Sequence, residues 1–144
     1  MSNRSIQHII ENQRLLISES SISVSKAATL MKQHDVGAIM IVEKHRLIGI
    51  FTERDALFRV LAEGLDPQTT RLIDVMTPHP QTISPDKPLG HALHMMHEGG
   101  FRHVPVVENG HIAGIVSARD ALGSEIIDFE SELVHRNHIA EILA

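Results

Sequence analysis

One short stretch occurs twice in this chain, and the repetition constrains the fold more than any other feature. Gly49-Ile50-Phe51-Thr52-Glu53-Arg54-Asp55 and Gly114-Ile115-Val116-Ser117-Ala118-Arg119-Asp120 lie 65 residues apart. Aligning Leu16–Leu57 with Gln81–Leu122 at that offset needs no gap and returns ten identities: Ala27/Ala92, Met31/Met96, Val42/Val107, Glu43/Glu108, Gly49/Gly114, Ile50/Ile115, Arg54/Arg119, Asp55/Asp120, Ala56/Ala121 and Leu57/Leu122. The chain is therefore expected to fold as two related halves.

In both copies a hydroxyl, Thr52 or Ser117, stands where a β-branched run hands over to a helical pattern, with an arginine two residues on and an aspartate three on. Read singly, each copy is a helix cap, because Ser or Thr followed by an acid at the third position is a capping box. Repetition of the arginine is not explained by capping. A hydroxyl and helix N-terminal N–H groups suit phosphate, an arginine adds charge, and a carboxylate can accept both hydroxyls of a ribose. The constellation is nucleotide-shaped.

The 144 residues suffice for one compact domain or two small halves sharing a core. Apolar residues make up 42% and charged residues 22%, and no apolar run reaches the ~18 residues of a membrane span, so neither disorder nor membrane insertion is expected. The N-terminal stretch has no secretory pattern, which makes a cytoplasmic location the expectation. The chain lacks cysteine, excluding disulfides and thiolate zinc sites. Net charge is −5 and the 13 basic residues are scattered, which argues against nucleic-acid binding. Trp and Tyr are absent, so an aromatic single-strand groove is poorly supported as well.

In chain order, the spacing of Ile6, Ile9, Ile10 and Gln13 predicts a short amphipathic helix within Ser2–Arg14. Leu15–Ile17 reads as a short strand, with Ser23 or Ser25 able to cap the helix carrying Ala27, Leu30 and Met31, which should stop near Asp35–Gly37. Ala38–Val42 and Leu47–Phe51 read as hairpin strands around a longer turn, Glu43–Arg46. A helix from Thr52 to Gly64 and a linker, Asp66–Thr70, follow. The second half repeats the order: Thr82-Ile83 as strand, Leu89–His97 as helix, His103–Val107 and Ile112–Val116 as a hairpin turned by Asn109-Gly110, then a helix after Ser117 breaking at Gly123. Glu125–Ala144 is a final helix with Ile126, Phe129, Leu133, Ala140 and Leu143 as a partial stripe. The expected fold class is α/β (α+β): two β-α-β-β-α motifs related by a pseudo-twofold, packed sheet to sheet, with flanking terminal helices. The expected division is 1–68 for the N-terminal helix and first motif, 69–124 for the second motif, and 125–144 for the C-terminal helix.

These stretches, with Asp74-Val75-Met76-Thr77-Pro78 and Phe101-Arg102-His103-Val104-Pro105-Val106-Val107, resemble tandem CBS domains, the pair called a Bateman module, here as a stand-alone protein. The resemblance runs from about Arg14 to Leu122 and implies a regulatory module that binds an adenosyl ligand: AMP, ADP, ATP, NAD(H) or S-adenosylmethionine. Carried over residue by residue, it implies that Asp55 and Asp120 hold ribose hydroxyls. Thr52, Ser117, Arg54 and Arg119 would face phosphate, Thr82, Ile83, Val104 and Pro105 would wall the base, and Arg102 and His103 would reach phosphate. The first half has Gly37 and Ala38 in place of Arg102 and His103, and Ser18 in place of Ile83.

Eleven histidines invite a metal reading, above all His91, His94 and His97 on one predicted helix. Spacings of three spread the outer two about 120° around the axis, while Ala92, Leu93 and Met96 must face inward, so these histidines are read as mostly solvated and no metal is expected. His135 and His138 are read the same way. No nucleophile elbow, Walker lysine loop or His-Glu-x-x-His occurs, and Asp55 and Asp120 belong to separate clefts, so no enzyme activity is expected. The competing reading is a ligand-free dimerisation module. Leu57, Phe58, Val60 and Leu61 are more apolar positions than one helix face uses, and a homodimer is expected to cover the surplus, with a regulated protein partner of unknown identity.

Overall fold

The computed structural model describes residues 4–143, with side chains as far as residue 137. The side chains of His138, Ala140 and Leu143, like residues 1–3, lie outside the described residues. In chain order the elements are α1 (Ile6–Ile10), β1 (Ile17–Ser18), α2 (Val24–His34), β2 (Ala38–Glu43), β3 (Arg46–Thr52), α3 (Glu53–Asp55) continuing as a π-helical segment (Ala56–Leu61), α4 (Leu72–Val75) and β4 (Thr77–Pro78). Then come α5 (Leu89–Gly99), β5 (His103–Glu108), β6 (His111–Ser117), a 3-10 turn (Ala118–Asp120) and α6 (Gly123–Leu143). No helix among the described residues is long and apolar enough to cross a membrane.

The chain divides into two compact units. One comprises Arg14–Gln81 and Asn109–Ile112; the other comprises the N-terminal segment to Gln13, Thr82–Glu108 and the chain from Ala113 onward. In the first unit the sheet order is β1-β2-β3-β4, with β1 parallel to β2 and the other pairs antiparallel. Its core gathers Val24, Ala27, Met31, Ile39, Ile41, Phe51, Val60, Leu72 and Met76. The second unit pairs β5 with β6, and its core gathers Leu89, Ala92, Met96, Val104, Val106 and Val116 at the equivalent repeat positions, together with Ile6, Ile10 and Ile83. Both β2 and β5 present continuous apolar runs because they are covered on both faces.

The N-terminal helix, grouped with the first motif in the sequence reading, packs in the unit of the second. Leu89 N–H donates to Arg4 O, Ile6 N–H to Lys87 O and Gln7 N–H to Pro85 O. In the first unit the segment preceding the second motif makes the same bonds: Val24 N–H to Thr70 O, Leu72 N–H to Ile22 O and Ile73 N–H to Ser20 O. Residues 4–10 thus correspond to 70–76 at an offset of 66, since 70 − 4 = 66, and each repeat is completed by the segment leading into the other one. Ile6 and Leu72, both fully buried, are the matching anchors. Asp66–Thr70, expected as a linker, is folded as a turn, with Thr70 N–H on Asp66 O at 2.9 Å and Pro67 O accepting from Ser25 N–H at 2.9 Å.

Three local details differ from the sequence reading. The first hairpin closes on two residues, not a longer turn: Glu43 pairs with Arg46, and Lys44 and His45 take φ of 51° and 65°. Two consecutive left-handed residues match the twist of the flanking strands, as Asn109 and Gly110 do in the second hairpin with φ of 54° and 79°. The helix after Thr52 widens, Ala62 N–H reaching back five residues to Leu57 O. After Ser117 the chain makes only a single 3-10 turn, Ala121 is extended, and α6 begins at Gly123.

Candidate functional site

The two repeated stretches occupy equivalent strand ends. In the first unit Glu53 N–H donates to Gly37 O at 3.0 Å; in the second Ala118 N–H donates to Arg102 O at 3.0 Å. This bond ties the end of β3 or β6 to the residue entering β2 or β5. It brings Arg102, His103, Ser117, Arg119 and Asp120 to one end of the second hairpin. Arg102 and Arg119 are exposed there, and His103, Ser117 and Asp120 are half-buried. Thr82-Ile83 joins the far side of β5: Ile83 N–H donates to Pro105 O and Val107 N–H to Ile83 O, both at 3.0 Å. Thr82 is exposed, whereas Ile83, Val104 and Pro105 are buried.

Both aspartates fold back on their own turns, but they are not equally engaged. Asp120 Oδ2 accepts from Ser117 N–H at 2.7 Å and from the Ser117 hydroxyl at 3.4 Å. Among the described residues its Oδ1 accepts no hydrogen bond. Asp55 Oδ2 accepts from Thr52 N–H at 3.0 Å and the Thr52 hydroxyl at 3.2 Å, while Asp55 N–H donates to Thr52 Oγ1 at 3.2 Å. In addition the Thr77 hydroxyl lies 3.3 Å from Asp55 Oδ1 and 3.5 Å from Oδ2, and Arg59 Nε approaches Oδ1 to 3.5 Å. Asp55 is consequently only 9% exposed. The capping role weighed for each copy is realised in both, with a carboxylate oxygen left over only in the second. Arg54 lies over the Phe58 ring, 5.3 Å from its centroid.

Residues to which the sequence reading assigned no role at the site surround both turns. Arg59 also donates to Met76 O at 3.0 Å, and its i,i+4 spacing from Asp55 was a readable signal. Arg4 donates to Asp120 O and reaches Glu125, with Nη2 2.9 Å from Oε1. Glu125, 7% exposed, in turn accepts from Leu122 N–H at 2.8 Å and so caps α6. Gln13 bonds both main-chain groups of Ile115 at 2.8 Å, doing for β6 what β4 does for β3.

The histidine row does not converge. His91 and His97 are exposed, and among the described residues no group of three or more His, Asp or Glu is placed to hold a metal ion. His94 belongs instead to the docking of α6 on α5: its Nε2 lies 2.7 Å from Glu132 Oε2, its ring packs edge-on to Phe129 at 4.9 Å, and Arg136 stands 3.2 Å from Nδ1. Arg136 can only donate, so Nδ1 accepts and Nε2 carries the proton given to Glu132. That bond holds the Glu132 carboxyl below the usual range.

The family model for the CBS domain matches residues 12–62 and again 72–125. Among curated proteins the chain is similar to the CBS domain-containing protein YhcV of Bacillus subtilis, 38% identical over 98 residues that cover 68% of this chain and 69% of that one. It spans only about a fifth of the length of several Arabidopsis thaliana CBS-domain relatives; over 100 residues it is 36% identical to one of them, covering 69% of this chain and 18% of the relative. Among solved structures, a CBS-domain protein from Pyrobaculum aerophilum complexed with AMP has TM-score 0.76 at 22% identity, covering 89% of this chain and 98% of that one. A CBS domain pair in complex with 5′-methylthioadenosine and S-adenosyl-L-methionine has TM-score 0.70 at 27% identity, covering 81% and 90%. With two matches in tandem across most of its length, the chain belongs to the CBS-domain family.

Proposed function

We propose that this CBS pair is a regulatory module that binds a phosphorylated adenosyl ligand through the second repeat's constellation, and that it is not itself an enzyme. The observation that carries the reading is the half-buried Asp120 carboxylate, whose Oδ1 accepts nothing among the described residues, beside Ser117, Arg119 and Arg102 at one strand end. A carboxylate oxygen with an adjacent hydroxyl and two exposed guanidinium groups complements a ribose carrying phosphate. The single turn after Ser117 offers no helix dipole, so phosphate there is held by side chains. A relative holding 5′-methylthioadenosine and S-adenosylmethionine supports the adenosyl class. AMP, ADP, ATP and NAD(H) fit the same groups.

Asp55, with Thr52 and Arg54, forms a weaker counterpart, since Gly37 and Ala38 supply no cation there. The module is a homodimer in this reading, because Leu57, Phe58 and Leu61 are 50%, 52% and 73% exposed on one helix. Ligand occupancy is read by a protein partner. Pure protein without Trp or Tyr should absorb almost nothing at 280 nm. A strong 260 nm band, resolved by mass spectrometry into an adenosyl compound, is the expected result after gentle purification and supplementation with AMP, ADP or ATP. Absence of any retained or added adenosyl compound at millimolar supply would leave the ligand-free dimerisation module as the better account.

A further inference from the structure

The geometry points to the first repeat's aspartate being closed by the chain itself, with Thr77 and Arg59 occupying the carboxylate that a ribose would need. This rests on the reading of Asp55 and Asp120 as ribose acceptors. In the second unit Asp120 gives only Oδ2 to its own turn. In the first unit both oxygens of Asp55 are engaged: Oδ2 by Thr52 as in its counterpart, and Oδ1 by the Thr77 hydroxyl at 3.3 Å and Arg59 Nε at 3.5 Å.

Neither occupant has an equivalent in the second unit. Shifting Thr77 by the 66-residue offset of the leading segments gives Glu11, an exposed acid 3.9 Å from His8. Shifting Arg59 by the 65-residue repeat offset gives Ser124, which is exposed at the start of α6. The closure is therefore particular to one half, and it is made by residues outside the repeated Gly49–Asp55 stretch. Arg59 is further anchored by its bond to Met76 O at 3.0 Å, and Thr77 is held in β4 opposite Ile50.

A diol arriving at Asp120 meets an Oδ1 that accepts from no protein donor among the described residues. One arriving at Asp55 must evict a threonine hydroxyl and break an ion pair, so it exchanges protein donors for ligand donors with little net gain. Thr77 and Arg59 thereby set how many ligands each chain takes up, and any state that draws β4 away from β3 would open the first position.

The test is calorimetric titration with ADP of the full chain. The parent is expected to take up one ADP per chain, and Thr77→Val with Arg59→Met to take up a second, the first-repeat dissociation constant falling by about tenfold or more. In an Asp120→Ala background the same pair of changes should restore one binding event that Asp55→Ala then abolishes. Thr77→Ser, which keeps the hydroxyl, should leave the count at one. If the double variant melts below the working temperature, Thr77→Val alone carries the test, because valine fills the threonine's volume. Equal loading of both positions in the parent, or no second event in a folded variant, overturns the closure. A parent that binds no adenosyl compound at all instead overturns the reading on which the closure rests.

Discussion

Gly114→Ala and Gly49→Ala place the same methyl group at equivalent positions of the two repeats, and the structure predicts different costs. At Gly114 an added Cβ would sit 2.6 Å from Ile10 Cγ2, 2.7 Å from Ile10 Cβ and 2.9 Å from Gln13 Oε1. A branched Cβ cannot swing away without its backbone, so α1 must shift, and with it the Gln13 pair on Ile115 and the buried Ile6. At Gly49 the nearest atom is Met76 Sδ at 2.4 Å, with Cγ and Cε at 3.1 Å. A thioether chain can turn to another rotamer. Overpacking that forces backbone movement costs about 1–3 kcal/mol. Gly114→Ala should therefore lower the melting temperature by roughly 5–10 °C, and Gly49→Ala by less than half of that. Thermal unfolding by circular dichroism measures both, and hydrogen exchange at Ile115 N–H reports whether Gln13 has been pushed off. Equal costs, or a larger cost at Gly49, would refute the reasoning that a rigid contact from α1 seals β6.

Asp55→Ala should destabilise the fold more than Asp120→Ala, by about 1–2 kcal/mol, because it strands Thr77 and Arg59 as well as the cap; paired denaturant melts test the difference. Arg4→Ala should cost about 1–3 kcal/mol by weakening the hold on the buried Glu125 and on Asp120 O, read as lower stability together with faster amide exchange in the first turn of α6. Glu132 is held below its ordinary value of 4.5 mainly by the hydrogen bond from His94. A depressed folded value means its stabilisation is complete above that ordinary value and is lost as pH falls through the lower, folded one. Helical signal from α6 should therefore drop in that acid window, and Glu132→Gln should remove the step. Light scattering should give a dimer of the 16.0 kDa chain at tens of micromolar, and Leu61→Glu should shift it toward monomer.

Much of the secondary structure was legible because it is local. Alternating and continuous apolar runs mark β2, β3, β5 and β6, Ser23 caps α2 as one of the two serines expected to, and Asn109-Gly110 turns its hairpin. The tight Lys44-His45 turn was not, since neither residue advertises a left-handed backbone. The interleaving of α1 with the second motif escaped for a different reason. Residues 4–10 and 70–76 share backbone bonds and an apolar spacing but no identities, and their offset differs by one from that of the repeat. At the candidate site the repeat exposed the hydroxyl, arginine and aspartate of each copy. It could not expose Thr77, which lies 22 residues from Asp55 and outside the gap-free aligned stretches, or Arg4, which lies 116 residues from Asp120.

The most direct measurement is a calorimetric comparison of the parent and Asp120→Ala titrated with ADP, alongside the melting curve of each. The ribose reading predicts that the variant stays folded, loses at most about 1 kcal/mol of stability, and binds about 10- to 150-fold more weakly, as removal of charge-assisted hydrogen bonds requires. A variant that binds ADP as the parent does but melts several degrees lower would show Asp120 to be a cap alone.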